Sequence, residues 1–176
     1  MSATCDFTLY ESPIGPLTLV AGEGGLSGLY FPGRAPALAP EPSGRSPALA
    51  EATEQLEEYF AGDRQRFELG LDLHGTPFQR SVWDQLLSLP YGETISYKRL
   101  AERLGRLDRI RAVGGAVGRT PVPIIVPCHR AVGSDGSLTG YGGGLQRKQA
   151  LLDLESRVAA GQTPDPAWAF RQLALT

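Results

Sequence analysis

The sequence predicts an α+β protein in two parts. The first is a small N-terminal α/β unit over residues 1–75, an antiparallel sheet plus one helix. The second is a mainly helical unit over 76–160, carrying a helix-turn-helix and a candidate active-site loop, with a tail over 161–176. Three observations predict this. Short extended runs broken by turn signals fill the first thirty residues, helical periodicity takes over after position 76, and the charge divides at the same place. The 176-residue chain has a net charge of −2, yet residues 1–75 carry 4 Lys+Arg against 11 Asp+Glu and residues 76–176 carry 13 against 8. A net-acidic chain is no generic polyanion binder. Its basic charge is instead local: 97–119 holds 7 basic residues against Glu102 and Asp108, which reads either as a solvated helix face or as a phosphate-binding footprint.

In order along the chain, FTLYES and LTLVAG flank the turn signal PIGP and read as paired strands, with LSGLYF as a third. The proline-rich stretch 32–47 reads as an exposed loop. Over 47–61, Leu49, Ala52, Leu56, Tyr59 and Phe60 fall on one helical face, and RFELGLDL, 66–73, alternates like a strand. This half shows no obvious chemistry, and its acidity suits a scaffold turned away from a polyanion.

The helices of the second half carry their own punctuation. Thr76 is a candidate N-cap, Pro77 sits at the first helical position, and Phe78, Val82, Leu86 and Leu89 form a stripe. TISYKRLAERLG gives a short helix with Leu100, Ala101 and Leu104 inward, ended by Gly105. Asp108 is placed to cap RIRAVGGAVG, with a stripe of Leu107, Ile110, Val113 and Val117. Two short helices joined by a tight glycine-containing turn make the helix-turn-helix pattern. Gly114, Gly115 and Gly118 each cost the second helix about 1 kcal/mol relative to alanine. Either something approaches that backbone closely or the helix packs against a neighbour.

The chemistry gathers in PVPIIVPCHRAVGSDG, 121–136. An apolar strand over Ile124–Val126 ends at Pro127, which delivers Cys128 to an edge, followed at once by His129 and Arg130. A buried lone cysteine is ordinarily a small hydrophobe, but imidazole and guanidinium neighbours are expected to lower a thiol pKa. Residues adjacent in a strand face opposite sides, so His129 serves Cys128 only through a turn beginning at Pro127 or a bridging water. Glu155 closes a helix with Leu151 and Leu152 one turn earlier. By spacing alone it reads as a surface residue, although a carboxylate there is placed to orient a histidine. Cys5 and Cys128 form no close pair, and two histidines and two cysteines far apart make a poor zinc site, so no metal and no cofactor are expected. With no apolar run near the length of a membrane span and no basic, apolar N-terminal leader, a soluble cytoplasmic protein is expected.

The segments FQRSVWDQLLSLPYGETISY, RAVGGA, IIVPCHR, TGYGGG and KQALLDLE occur in that order over about 76–155, with SPIGPLTL at 12–19. Together they resemble the O6-alkylguanine-DNA alkyltransferases, also called methylated-DNA–protein-cysteine methyltransferases. The resemblance implies direct reversal of DNA damage: O6-alkylguanine is flipped from duplex DNA and its alkyl group passes irreversibly to Cys128, with minor activity on O4-alkylthymine. It implies that His129 takes the thiol proton through a water and that Glu155 orients His129. Arg111 enters the base stack, Tyr97 crowds the neighbouring phosphate and bonds the flipped base, and Tyr141 lines the pocket. Backbone groups of Ala131 and Gly142 read the base edge. The implied partner is double-stranded DNA, met in its minor groove by a monomer, with clustering along DNA left open.

Two features depart from the family pattern. Thr120 stands where the family has asparagine before proline, which predicts a looser turn and lower stability or rate. GRLDRI lacks the usual proline and alanines, so phosphate contacts there differ. The alternative readings are a non-enzymatic alkyl-lesion-binding protein on the same scaffold, which Cys128 argues against, and a cysteine hydrolase, which would need an oxyanion hole.

Overall fold

A computed structural model describes residues 5–37 and 44–165. Most of the tail, 166–176, and the middle of the proline-rich loop, 38–43, lie outside the described residues. The fold is α+β, as the sequence predicts. Strands β1 (Asp6–Ser12), β2 (Gly15–Gly22) and β3 (Gly25–Tyr30) form an antiparallel sheet in the order β1-β2-β3. Their register runs from Asp6 opposite Ala21 to Ser12 opposite Gly15, with a shift between Val20 and Ala21 where β3 pairs. Helix α1 (Pro47–Ala61) lies on this sheet and buries Leu49, Ala52, Leu56, Tyr59 and Phe60, the five residues its periodicity singles out.

Residues 66–73 do not form the expected strand. They run extended along the sheet edge, held by a single parallel bridge between Leu71 and Leu26, with Leu26 N–H donating to Gly70 and Asp72 N–H to Leu26. Alternation alone does not build a ladder when the partner strand ends after a few residues.

Helix α2 (Pro77–Leu87) begins in a full capping box: Thr76 accepts from Gln79 N–H while the Gln79 side chain accepts from Thr76 N–H. Val82, Trp83 and Leu86 face inward, and the Trp83 indole donates to the Ala116 carbonyl at 2.9 Å. A two-residue strand β4 (Ile95–Ser96) leads into α3 (Tyr97–Arg103), whose N-cap is Ser96. Gly105, at φ +64°, lets the chain turn: its N–H donates to Glu102 and that of Arg106 to Ala101, closing the helix in a Schellman motif.

A 3-10 turn over Leu107–Arg109 enters α4 (Ile110–Gly118). Asp108 lies inside that turn and caps nothing. Its carboxylate faces Arg106 at 3.6 Å and Arg109 at 3.7 Å. The expected stripe on α4 is half right. Val113 and Val117 are buried, but Leu107 and Ile110 are exposed because no element covers the start of this helix.

The apolar run 124–126 is a tight turn rather than a strand. Val126 N–H donates to Val122, and Ile124 takes φ +76°, a left-handed conformation that costs a β-branched residue roughly 1–2 kcal/mol. A second 3-10 turn, Cys128–Arg130, follows Pro127, and β5 (Ala131–Val132) pairs in parallel with β4. Helix α5 (Leu145–Ala159) runs a full turn past Glu155, which therefore sits inside the helix and not at its end.

Two clusters of buried side chains hold the molecule. One joins the sheet and α1 to Val122, Ile124, Ile125 and to Ala150, Leu151 and Leu154 of α5. The other joins α2, α3 and α4 to Val126, Cys128 and Ala131. The cysteine turn is thus a seam, anchored on one side in the sheet core and on the other in the helical core. Burial on both sides holds Ile124 in its strained conformation. No described helix is long and apolar enough to cross a membrane.

Candidate active site

Cys128 is buried on the wall of a cavity of about 750 Å³. One side of the cavity is the helix-turn-helix: Tyr97 of α3, then Ile110, Gly114 and Val117 along α4. The opposite side is the loop Thr139–Gly142. The N-terminal unit closes the cavity with Leu29, Tyr30, Phe31 and Arg34. That unit is therefore part of the site, contrary to the scaffold role its acidity suggests. Phe31 stands edge-on to Tyr141 with ring centroids 5.5 Å apart, so the loop rests on the sheet.

The turn that begins at Pro127 decides where His129 points. His129 is fully buried, and its Nε2 lies 2.7 Å from Glu155 Oε1. A carboxylate only accepts, so Nε2 carries the proton and Nδ1 is the free acceptor. Nδ1 is buried without a protein hydrogen-bond partner among the described residues. The spacing-based reading of Glu155 as a surface residue is overturned: it is 1% exposed and ringed by donors. Arg130 clamps both its oxygens, Nε on Oε2 at 2.8 Å and Nη2 on Oε1 at 3.0 Å, and also donates to the Leu89 carbonyl. Tyr59 Oη of α1 donates to Oε1 at 2.8 Å. Burial alone would raise the Glu155 carboxyl, but His129 and the Arg130 fork outweigh it and hold it well below the usual carboxylate range.

The thiol behaves differently from the sequence expectation. Arg130 and His129 were expected to lower its pKa, but Arg130 donates to Glu155 and the Leu89 carbonyl and His129 turns its Nε2 to Glu155. Burial instead pushes the Cys128 thiol up to about 11, against the opposing pull of a hydrogen bond with the Thr120 hydroxyl, the Lys148 charge and backbone groups at Cys128 and Ile124. The resting site therefore holds a neutral thiol.

The other predicted residues take these places. Tyr97 lines the cavity and its hydroxyl donates to the Thr139 carbonyl at 3.1 Å. Tyr141 lines it with a buried hydroxyl that has no protein partner among the described residues. Gly142 lines it as well. Thr120 donates to Val117 at 2.7 Å and touches the thiol. Arg111 is exposed at the outer face of α4. Ala131 is buried behind the cavity, its N–H donating to the Cys128 carbonyl and its own carbonyl accepting from Lys148.

Sequence reasoning missed Lys148, Tyr59, Phe31 and Arg34. Lys148 is fully buried, and its ammonium forms no ion pair with a carboxylate among the described residues. Its ammonium gathers the carbonyls of Ala131 (2.6 Å), Thr139 (3.3 Å) and Gly140 (3.4 Å) and lies over the Tyr97 ring at 5.8 Å, tying both walls of the cavity together. A signal existed: Lys148 and Glu155 are seven residues apart and share the inward face of α5 with Leu151. Nothing in the sequence announced the contributions of the first sixty residues, which arrive from far along the chain.

A buried cysteine turn set between a basic helix-turn-helix and a small sheet domain, with a His–Glu pair behind the thiol, defines a class of two-part proteins that bring a single cysteine to a nucleic-acid-binding surface. The chain belongs to the O6-methylguanine DNA methyltransferase family. Residues 7–73 match the model of that family's ribonuclease-like domain, and residues 77–157 match the model of its DNA-binding domain. A methylated-DNA–protein-cysteine methyltransferase of Mycobacterium tuberculosis is 50% identical over 161 residues, 87% of this chain and 94% of that protein. One from Methanosarcina barkeri is 46% identical over 157 residues, 85% of this chain and 96% of that protein. Among solved structures, that of Mycobacterium tuberculosis OGT in complex with DNA superposes with a TM-score of 0.81 at 45% identity, covering 94% of this chain and 99% of that one.

Proposed function

We propose that the protein repairs alkylated DNA directly, as a methylated-DNA–protein-cysteine methyltransferase that moves the alkyl group from guanine O6 onto Cys128 and acts once. The observation that carries this is the thiol itself: buried, on the wall of a cavity wide enough for a base, beside a basic helix pair. Guanine O6 is out of a protein nucleophile's reach inside a duplex, so the damaged nucleotide rotates into the cavity at a cost of a few kcal/mol. Arg111 fills the vacated stack from the minor-groove side. Tyr97 crowds the flanking phosphate, and Tyr141 and Gly142 flank the base.

The neutral thiol needs a base at the moment of reaction. His129 Nδ1, the acceptor left free by the Nε2–Glu155 bond, takes the proton through a water. The Sγ–carbon bond forms as the carbon–O6 bond breaks; the guanine takes the electron pair and one proton, replacing the one that passed from the thiol to His129, so the net products are a thioether and guanine. Burial keeps the thiol protonated and inert until a base enters, which protects it from adventitious electrophiles. A thioether is not reversed by proton transfer, hence a single turnover. O4-alkylthymine presents a similar ether oxygen and is a minor substrate. The protein acts as a monomer.

The test is intact-protein mass after mixing with excess duplex carrying one O6-methylguanine. A gain of one methylene per chain, mapped to Cys128 and absent in Cys128→Ser, is expected. Binding without mass change would instead make the protein a lesion binder, and neither binding nor mass change would end the repair reading.

A further inference from the structure

The carboxylate behind His129 is shared between the two halves of the molecule. Glu155 Oε1 accepts from three donors: His129 Nε2 at 2.7 Å, Arg130 Nη2 at 3.0 Å and Tyr59 Oη at 2.8 Å. The first two come from the cysteine turn, but Tyr59 comes from α1, 96 positions away in sequence. Its ring is fully buried and packs on Phe60 and Phe67 at 5.3 Å and Tyr91 at 6.2 Å, which fixes the position of the hydroxyl oxygen.

We infer that Tyr59 is a positioning residue for the alkyl transfer, a donor from the N-terminal domain that fixes the Glu155 carboxylate and limits how much of its charge reaches His129. A carboxylate oxygen that accepts three hydrogen bonds spreads its negative charge over all of them. Take one away and the remaining acceptor strength falls on the other two. The imidazolium form of His129 is then favoured, and the ring gives up its role as proton acceptor over a wider acid range. Among the described residues, the charged or titratable groups facing this carboxylate are Tyr59 from α1, Tyr91 from the loop after α2, His129 and Arg130 from the cysteine turn, and Tyr141 from the glycine loop. Tyr91 offers a built-in control. Its ring meets that of Tyr59 edge-on and lies under the Arg130 guanidinium at 5.6 Å, but its hydroxyl is buried without a protein partner among the described residues.

The inference rests on the alkyl-transfer reading, so the substrate of the test is a free O6-alkylguanine base, which bypasses DNA binding. Rates of Cys128 alkylation are measured against pH for the wild type, Tyr59→Phe and Tyr91→Phe. Both substitutions delete one hydroxyl and keep the ring. The acid limb of the profile is expected to move about half a pH unit upward in Tyr59→Phe and to stay in place in Tyr91→Phe. A Tyr59→Phe profile that overlays the wild type overturns the inference, and so does an equal shift in both variants, which would assign the effect to ring packing. Nitrogen NMR of the His129 ring against pH reads the same displacement without any transfer. If the wild type reacts with neither the free base nor an O6-methylguanine duplex, the alkyl-transfer reading fails, and a ring midpoint unmoved by Tyr59→Phe still sinks the positioning role.

Discussion

At the residue scale, the site works by opposing two shifts. The thiol is pushed up to about 11 from its ordinary 9.0 by burial, and the carboxylate is held well below its ordinary range by its donors. Thr120 is the side-chain hydroxyl bonded to the thiol. Thr120→Val removes that bond and leaves the Val117 carbonyl without it. Transfer at neutral pH is expected to slow by about fivefold, the equivalent of one neutral hydrogen bond near 1 kcal/mol, measured by single-turnover kinetics. For Glu155 the folded-state pKa is depressed. The stability it contributes is therefore complete above the unfolded carboxylate value of about 4.3 and is lost as pH falls below that value. Glu155→Gln leaves the buried Arg130 without its counter-charge, a loss of about 3–5 kcal/mol at pH 7. The gap between variant and wild type in thermal melts should narrow as pH drops below about 4. The Cys128 shift has the opposite sign: its contribution is complete below pH 9.0 and is lost as pH rises toward about 11.

At the scale of elements, local signals and tertiary packing divide the work. The α2 capping box is wholly local, so Thr76→Ala should cost about 1 kcal/mol in denaturant unfolding while leaving the transfer rate intact. The same locality made α1 and α2 readable from sequence: five apolar residues on one face, a threonine cap and a proline at the first position are decided within a few turns. The stretches 66–73 and 124–126 were misread for the complementary reason. Alternation and apolarity state that a segment is extended or buried, but whether it becomes a strand depends on a partner the local sequence does not contain. At 124–126 two cores compete for successive side chains, and the chain answers with a turn and a left-handed isoleucine.

At the scale of the whole molecule, the charge division becomes a functional surface. Of the basic residues of 97–119, Lys98, Arg99 and Arg103 are exposed on α3 and Arg111 on α4, with Arg109 in the turn between them and Arg119 just after α4, and both helices also line the cavity. Duplex binding is therefore expected to weaken steeply with salt, and Arg109→Ala to reduce the slope of log affinity against log salt by about 0.9, one phosphate contact, as measured by fluorescence anisotropy. The acidic half is not a detached scaffold. It closes the cavity with Phe31 and Arg34 and reaches Glu155 through Tyr59.

By itself the sequence determined the fold class, the helical units and the Pro-Cys-His-Arg run that carries the thiol, because hydrophobic periodicity, caps and that run are encoded in near neighbours. Only the tertiary structure decided that Glu155 is buried and not on the surface, that the resting thiol is protonated, and that Lys148 and Tyr59 belong to the site. Those outcomes turn on desolvation and on hydrogen bonds between residues up to 96 positions apart. Burial and partner geometry arise only when distant segments pack, so no spacing along the chain records them.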